Sequence, residues 1–345
     1  MKFIKSKSAP KGGKSGDKGK FPSNPGLRGI RAVVETVVIV LLLRALVVEA
    51  HAVPTGSMIP TILPGEYLLA EKLSYRFGEP QPGDVVVFKF PLEPKIDYVK
   101  RCLAVGGQTF EIRDRRVILD GVEVPDKHAH FENTLPPVPN VFGISPREWQ
   151  RSWENRDVFT VINGAINSRP AAVKSLYAFV AVHEAAKDGV ALDIDSLEAI
   201  IARINPQAQT WDQYARGVLA QGLEIYFGDD FSHEKTVPIV EKALQYSIQQ
   251  LIYFSVSDNF QEVTIPEGNI MCVGDNRDHS YDSRFWGPVP LSAVKGRPTL
   301  IYFSVEVQPP AIGKTPTIFD NIWVIFASFF RPQDMRPERF FTLMF

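Results

Sequence analysis

The feature that most constrains this 345-residue sequence is one apolar stretch near its N-terminus, from Ile30 to Val53. It is about as long as the ~20 residues that a helix needs to cross a bilayer. It contains Glu35 and Arg44, which lie away from its middle and can extend to opposite membrane interfaces. A cleaved signal peptide is the alternative, but this run and the segment before it are both too long for one. We predict an uncleaved transmembrane anchor over 30–53.

The segment before this run is basic. Residues 1–29 carry eight lysines and arginines against one acid, Asp17, among many Gly, Ser and Pro residues. Such a segment cannot bury enough apolar surface to fold, so we expect a disordered tail. The positive-inside rule places it in the cytoplasm and the rest of the chain outside. The net charge of the whole chain is only -1, which gives no argument for a nucleic-acid partner.

The residues after the anchor alternate short β-rich runs with turns. Gly83–Phe90 and Asp97–Val105 are rich in β-branched and aromatic residues, which is typical of buried strands. The dipeptide Asp120-Gly121 predicts a two-residue hairpin turn. Strand patterns return near residue 262. We therefore predict a mainly β domain made of residues 54–135 and 256–310.

Between these two parts the pattern becomes helical, so we predict a mostly helical insertion over 136–255. Asp195 and Glu198 have the spacing of a helix-capping pair, and Ser232–Phe254 has apolar residues at steps of three and four. His183-Glu184 lacks a second histidine at metal-binding spacing, so we expect no metal site there. We expect no cofactor elsewhere in the chain either.

The C-terminal segment 311–345 is apolar, but its run Ile318–Phe330 is too short to be read as a second span. Contact with the membrane interface and packing on the β domain are the two alternatives. The only cysteines, Cys102 and Cys272, allow a disulfide in an exported domain. We favour two separate buried thiols.

The chemistry of the chain centres on one serine and one lysine. Ser57 follows a glycine in a loop, where a substrate chain can approach, although most such serines only form turns. Lys100 shares one face of the strand Asp97–Val105 with Tyr98 and Cys102. A lysine buried there without an acid partner has a lowered pKa and can act as a base. A Ser-His-Asp triad using His279, and a lysine that is merely paired with a carboxylate, are the alternatives.

A polar segment, Gly274–Gly287, supplies the third group of candidate residues. It reads GDNRDHSYDSRFWG, and its polar side chains need partners if they are buried. Asp282 and Arg284 can form a bidentate pair that stiffens the loop, and Ser280 can hold the lysine amine.

These segments resemble those of the type I signal peptidases, the Ser-Lys leader peptidases. The motifs TGSMIPT, GDVVVF, YVKR and GDNRDHSYDSRFWG occur in the order that the family shows, after one anchor. The resemblance covers Ile30 to about Lys127 and Glu262 to about Ser304. It implies a signal-peptidase-like β fold for the catalytic domain.

The resemblance also implies a role for each matching residue. Ser57 would attack the scissile carbonyl, Lys100 would be the general base, and Ser280 would orient its amine. The Ser57 N–H and the Thr55 hydroxyl would hold the oxyanion. The remaining residues form two groups. Asp275, Arg277, Asp282 and Arg284 would shape the site, and Val53, Met58 and Val99 would line shallow pockets for small side chains.

The implied activity is removal of signal peptides from exported preproteins that have small residues, of the Ala-x-Ala type, before the cut. The implied location is the bacterial inner membrane, with one span, a cytoplasmic N-terminus and the catalytic domain on the periplasmic side. The sequence departs from the family after Arg101, where Ala104–Gln108 replaces the usual Gly-x-Pro-Gly-Asp turn. The helical insertion is also unusual, and contact with the export machinery is one role we consider for it.

Two other functions are compatible with the same motifs. A dedicated protease would cut one or few substrates, which the insertion would select. A catalytically idle membrane scaffold would keep the fold without the activity.

Overall fold

The computed structural model describes residues 25–144, 148, 151–153, 158–205, 211–228, 233–306, 318–328 and 330–344. The chain divides into two compact units, Met1–Val47 and Val48–Phe345. Most of the predicted basic tail, residues 1–24, lies outside the described residues. Its last residues, 25–29, are helical, so the predicted boundary at 29 is wrong.

The first unit contains helix α1, Pro25–Leu46. The predicted anchor over 30–53 is wrong at its C-terminal end, because Val48–Val53 forms a strand that pairs with another strand of the second unit. Four charged residues fall within α1, namely Arg28, Arg31, Glu35 and Arg44. Within the described residues, no helix is both long enough and apolar enough to cross a membrane.

The second unit is built on two antiparallel sheets, as the prediction of a mainly β domain required. The strands are β1 Val48–Val53, β2 Glu66–Glu71, β3 Val85–Lys89, β4 Asp97–Val105, β5 Thr109–Arg113, β6 Arg116–Leu119, β7 Val122–Val124, β8 Phe260–Thr264, β9 Asn269–Val273, β10 Val289–Pro290, β11 Val294–Ser304 and β12 Thr342–Leu343.

The larger sheet has eight strands in the order β1-β2-β11-β3-β4-β9-β10, and β12 pairs with β11. The smaller sheet has the order β7-β6-β5-β8. The predicted hairpin at Asp120-Gly121 is confirmed: it joins β6 to β7, and both residues have positive φ, as a type I′ turn requires. Since β1 begins at Val48, the β domain starts six residues before the predicted boundary at 54.

A short helix, α2 (Ser74–Phe77), lies between β2 and β3. The helices of the insertion are α3 Val158–Ser168, α4 Pro170–Lys187, α5 Ile194–Arg203, α6 Trp211–Phe227, α7 His233–Ala243 and α8 Ile248–Asp258. The run Ser232–Phe254 is divided between α7 and α8, because Ser247 and Gln250 form a capping box that begins a new helix. The predicted cap of α5 is shifted: Asp193, not Asp195, accepts from Ser196 N.

The insertion shares one hydrophobic core with the β sheets. Buried Phe88, Phe110 and Val273 of the sheets belong to the same cluster as Leu176 of α4 and Leu251 of α8. Because α8 continues to Asp258, the helical block ends three residues beyond the predicted boundary at 255. The helices therefore pack as part of the β domain and do not form an independent core.

The C-terminal segment packs on the β domain. Helix α10, Ile318–Ser328, places Val324 and Ile325 against the buried residues Tyr67 and Phe303. A short helix, α9 (Ser283–Trp286), precedes β10. Cys102 and Cys272 face each other across β4 and β9 as free, buried thiols, which confirms the favoured alternative.

Candidate active site

The site lies where β4 passes beneath the loop between β1 and β2, residues 54–65. This loop carries the candidate nucleophile Ser57 and is called the nucleophile loop. Lys100 of β4 and Ser57 of the loop share a hydrogen bond of 2.6 Å between Nζ and Oγ. Lys100 Nζ also donates to Val99 O at 2.9 Å. Both side chains belong to buried residues, with exposed fractions of 4% for Lys100 and 7% for Ser57. A hydroxyl and an amine are thus held in contact away from water.

The amine of Lys100 has no carboxylate partner among the described residues. Burial lowers the pKa of Lys100 to about 8, and the smaller effects of Asp282, Cys272 and Asp275 act in the opposite direction. Desolvation disfavours the charged ammonium form, and no ion pair compensates for it. The predicted alternative of a lysine pinned by an acid is therefore excluded, and the amine is able to accept a proton.

Thr55 lies beside the nucleophile candidate. Its Oγ1 is 3.4 Å from Ser57 Oγ, and either hydroxyl can be the donor. The Thr55 hydroxyl is therefore close enough to contact an oxyanion that forms at Ser57, which is what its predicted role requires.

Asp275 ties the polar segment to the strand that carries the lysine. Arg101, the residue after Lys100, donates from Nε and Nη2 to the two carboxylate oxygens of Asp275, at 2.8 and 2.6 Å. Thr61 Oγ1 donates to the same carboxylate at 2.5 Å. The pair is buried, and bidentate contacts of this kind fix geometry as well as charge. Asp275 thus joins β4 to the nucleophile loop.

The predicted pair between Asp282 and Arg284 is confirmed and bidentate, with both bonds at 2.9 Å. Both residues are fully buried, and the guanidinium of Arg284 holds the pKa of Asp282 below its usual range despite burial. Asp282 also accepts from Gly274 N at 3.0 Å, and Arg284 donates to Arg277 O. Arg277 itself is paired with Asp126. These residues stiffen the polar segment from within.

Ser280 is buried in the same segment, but its hydroxyl makes no hydrogen bond to Lys100. Gly274 separates it from the nucleophile loop: a Cβ at Gly274 would lie 2.1 Å from Ser280 Oγ and 2.4 Å from Ser57 O. Only glycine allows the two segments to approach so closely. The orienting role of Ser280 stays a prediction.

The three residues predicted to line substrate pockets lie in one apolar cluster. Val53 and Met58 are buried there, and Val99 is partly exposed and packs against them. Met58 has no exposed surface, so it lies beneath the layer that meets solvent.

His279 does not form the alternative triad. Its Nε2 is 3.1 Å from Glu132 Oε2, and its side chain is more than half exposed. The Ser57 hydroxyl shares its hydrogen bond with Lys100 and not with this histidine.

One group of side chains in the described part of the chain has atoms close enough for a metal: Glu49, His51 and Asp97, within 4.8 Å of one another. Lys295 donates to both carboxylates, at 2.7 Å to Glu49 and 2.8 Å to Asp97. Its ammonium already supplies the positive charge that these carboxylates need.

Sequence reasoning missed a second support of the nucleophile loop, which comes from the C-terminal segment. Arg339 donates to Glu66 Oε1 at 2.7 Å and to Thr61 O at 2.9 Å. Glu66 is fully buried, and its Oε2 accepts from Leu63 N. Arg339 therefore pairs with the Glu66 carboxylate, which also accepts a hydrogen bond from Leu63 near the C-terminal end of this loop. An arginine after an apolar run was the only signal, and it did not identify the partner.

The chain is similar to several known proteins. The family described as signal peptidase, peptidase S26, matches residues 27–166 and 222–303. A signal peptidase I of Aquifex aeolicus is 26% identical over 269 residues, 78% of this chain and 80% of that protein. One from Buchnera aphidicola is 26% identical over 81% of this chain and 75% of that protein. One from Pseudomonas fluorescens is 37% identical over 28% and 39%.

Among solved structures, a signal peptidase I from Enterococcus faecalis matches with 16% identity and a TM-score of 0.24, over 64% of this chain and 96% of that one. The family match covers more than half of the sequence and includes Ser57, Lys100 and the polar segment Gly274–Gly287. The chain belongs to the signal peptidase family, peptidase S26.

Proposed function

We propose that the protein is a serine endopeptidase that removes signal peptides from exported preproteins. The observation that carries the proposal is the 2.6 Å contact between the Ser57 hydroxyl and the buried amine of Lys100. Neutral Lys100 takes the hydroxyl proton as Ser57 Oγ attacks the scissile carbonyl carbon. The resulting ammonium then gives this proton to the leaving amine as the C–N bond breaks, which forms the acyl-enzyme and returns Lys100 to its neutral form. Water then attacks the acyl carbon, with the same amine as base, and frees Ser57.

Support for the substrate class comes from the family and from the apolar cluster beside the nucleophile. Val53 and Val99 flank the loop of Ser57, and their methyl groups suit small side chains before the cut. We propose that substrates carry small residues of the Ala-x-Ala type there. The insertion packs on the polar segment, where Tyr253 of α8 stacks on Phe285. We propose that the insertion selects substrates or contacts the export machinery.

We also propose that the enzyme works at the bacterial inner membrane, on the periplasmic side, with its N-terminus in the cytoplasm. Two apolar surfaces support this location. Helix α1 exposes most of its apolar side chains, and the C-terminal segment exposes Trp323, Phe326 and Phe330. Tryptophan and phenylalanine are favoured at membrane interfaces.

Cleavage of a panel of unrelated preproteins tests the proposed function. The wild-type protein in detergent is expected to cut each of them once, after a small-x-small sequence, and the Ser57→Ala variant is expected to cut none. Mass spectrometry of the products identifies the cut. Cleavage of a single member would favour the dedicated protease, and no cleavage by the wild type would favour the idle scaffold.

The pH dependence of peptide cleavage tests the role of Lys100 as base. Its pKa is lowered to about 8 by burial, and only the neutral amine accepts a proton. Below pH 8, kcat/KM is therefore expected to rise about tenfold per pH unit and then to level off above it. A soluble peptide assayed from pH 6 to 10 measures this.

The matched control is Lys187→Met, which removes a half-exposed lysine of α4 that pairs with Glu184. It should leave the profile unchanged. A wild-type profile that is flat between pH 6 and 8 contradicts the assignment of the base.

A further inference from the structure

Asn276 holds the nucleophile loop at two successive carbonyl groups. Its side-chain Nδ2 donates to Gly56 O at 3.2 Å, and its backbone N donates to Ser57 O at 3.1 Å. Gly56 O also accepts from Ile59 N, but that bond lies within the loop itself. Asn276 thus provides the direct link between the peptide groups around Ser57 and the rigid polar segment.

The peptide held at Gly56 is the one that carries the Ser57 N–H. In the described residues this N–H donates to no acceptor. A peptide group is planar, so the direction of its C=O fixes the direction of its N–H. A donor that stabilises an oxyanion must be oriented before the charge develops. The amide of Asn276 therefore controls the direction of a free N–H next to the reacting hydroxyl.

Glu132 completes this arrangement from the segment that leads into the helical insertion. Its Oε1 accepts from the second hydrogen of Asn276 Nδ2 at 2.8 Å. Two contacts hold Glu132 in place. Its backbone N donates to Asp278, and its Oε2 lies 3.1 Å from His279 Nε2. Both partners of Nδ2 are acceptors, so the amide nitrogen is the only group of Asn276 that suits this position.

We propose that Asn276 is a positioning residue that orients the Ser57 N–H toward the oxyanion, and that Glu132 holds the Asn276 amide in place. This inference rests on the proposed acyl-transfer function. It assigns to Asn276 a role that acts through the peptide group of Ser57, and it connects the segment that leads into the insertion to the catalytic step.

The variant Asn276→Asp tests the proposal, because aspartate has the same shape but cannot donate to Gly56 O. We expect kcat to fall about 10- to 100-fold with little change in KM, which is less than the ~10²–10³-fold cost of losing an oxyanion donor outright. Asn276→Ala, which adds no charge, should show a similar loss. The control is Asn269→Asp, at the start of β9. The Asn269 amide donates to Glu267 O at an exposed position, so this variant should retain wild-type kinetics.

A peptide aldehyde gives a readout that partial unfolding does not change. Ser57 Oγ bonds to the aldehyde carbon, the hydroxyl proton passes to Lys100, and the former carbonyl oxygen becomes the oxyanion. The inhibition constant for this adduct is expected to rise in Asn276→Asp by the same factor as kcat/KM falls. An enzyme that merely contains a misfolded fraction would keep the wild-type inhibition constant.

Two variants that remove the Glu132 carboxylate to different extents test its role. Glu132→Gln keeps an acceptor for Asn276 Nδ2 and should stay within about threefold of wild-type kcat, whereas Glu132→Ala should lose more. An unchanged inhibition constant in both Asn276 variants would overturn the proposal, whatever their kcat. A wild-type protein that cleaves no preprotein would instead overturn the proposed function, and the dissociation constant of the aldehyde adduct, measured by calorimetry, would still decide the role of Asn276.

Discussion

Replacing Lys100 with methionine is expected to lower kcat/KM by at least about 10³-fold and, at the same time, to make the protein more stable at pH 7. The loss follows because methionine has nearly the same length as lysine but cannot take the proton of Ser57. General bases typically contribute about 10²–10⁴-fold, and the members of a nucleophile–base pair act as a unit. Cleavage of a soluble peptide by purified Lys100→Met measures this loss.

The gain in stability follows from the burial of the amine. The pKa of Lys100 falls from the ordinary lysine value of 10.5 to about 8 in the folded protein. The unfolded state therefore binds this proton more tightly, and stability rises with pH between about 8 and 10.5. Below pH 8 the folded protein bears the full cost of a buried ammonium, roughly 3 kcal/mol at ~1.4 kcal/mol per pKa unit.

Methionine removes that cost but also loses the hydrogen bonds to Ser57 and Val99, so we expect a net gain of about 1–3 kcal/mol. Urea unfolding at pH 7 measures it. Lys100→Arg is the matched variant: it should be equally inactive but gain nothing, since the guanidinium stays charged. An active Lys100→Met, or one that is less stable than Lys100→Arg, contradicts the assignment.

The strands that form the site were predictable because their sequence signals are local. The run Asp97–Val105 coincides with β4, and the positive φ values that Asp120-Gly121 favours occur where the hairpin was expected. The alternation of β4 identified Lys100 as a lysine on a weakly polar face. The alternation could not show that no carboxylate of the described residues pairs with the amine, because the acids that act on it, Asp275 and Asp282, lie far away in sequence.

Other parts of the fold depend on long-range contacts and were predicted incompletely. The apolar character of residues 48–53 suits a membrane helix as well as a sheet strand, and pairing with β2 decides in favour of the strand. Likewise, the polar residues Glu66 and Arg339 are 273 positions apart, and no local pattern connects them. The support that the C-terminal segment gives to the nucleophile loop became visible only in three dimensions.

Replacing Arg339 with leucine is expected to destabilise the protein by about 3 kcal/mol, the low end of the cost of leaving a buried charge unpaired, because Arg339 itself is a quarter exposed. Glu66 has no exposed surface, and its carboxylate would be left charged without the guanidinium. Arg116→Leu is the control, because Arg116 pairs only at the surface, with Asp114 and Glu123. Such exposed pairs contribute about 0–1 kcal/mol.

The double variant Arg339→Leu/Glu66→Gln separates charge burial from loss of packing. Glutamine keeps an oxygen that accepts from Leu63 N but carries no charge, so the double variant should recover at least half of the stability lost in Arg339→Leu. Denaturant unfolding of all four proteins at one pH measures these differences. If Arg339→Leu were no less stable than Arg116→Leu, the C-terminal segment would not support the loop that carries Ser57. If the double variant recovered nothing, the support would come from the bond of Arg339 to Thr61 O and from packing, and not from neutralising Glu66.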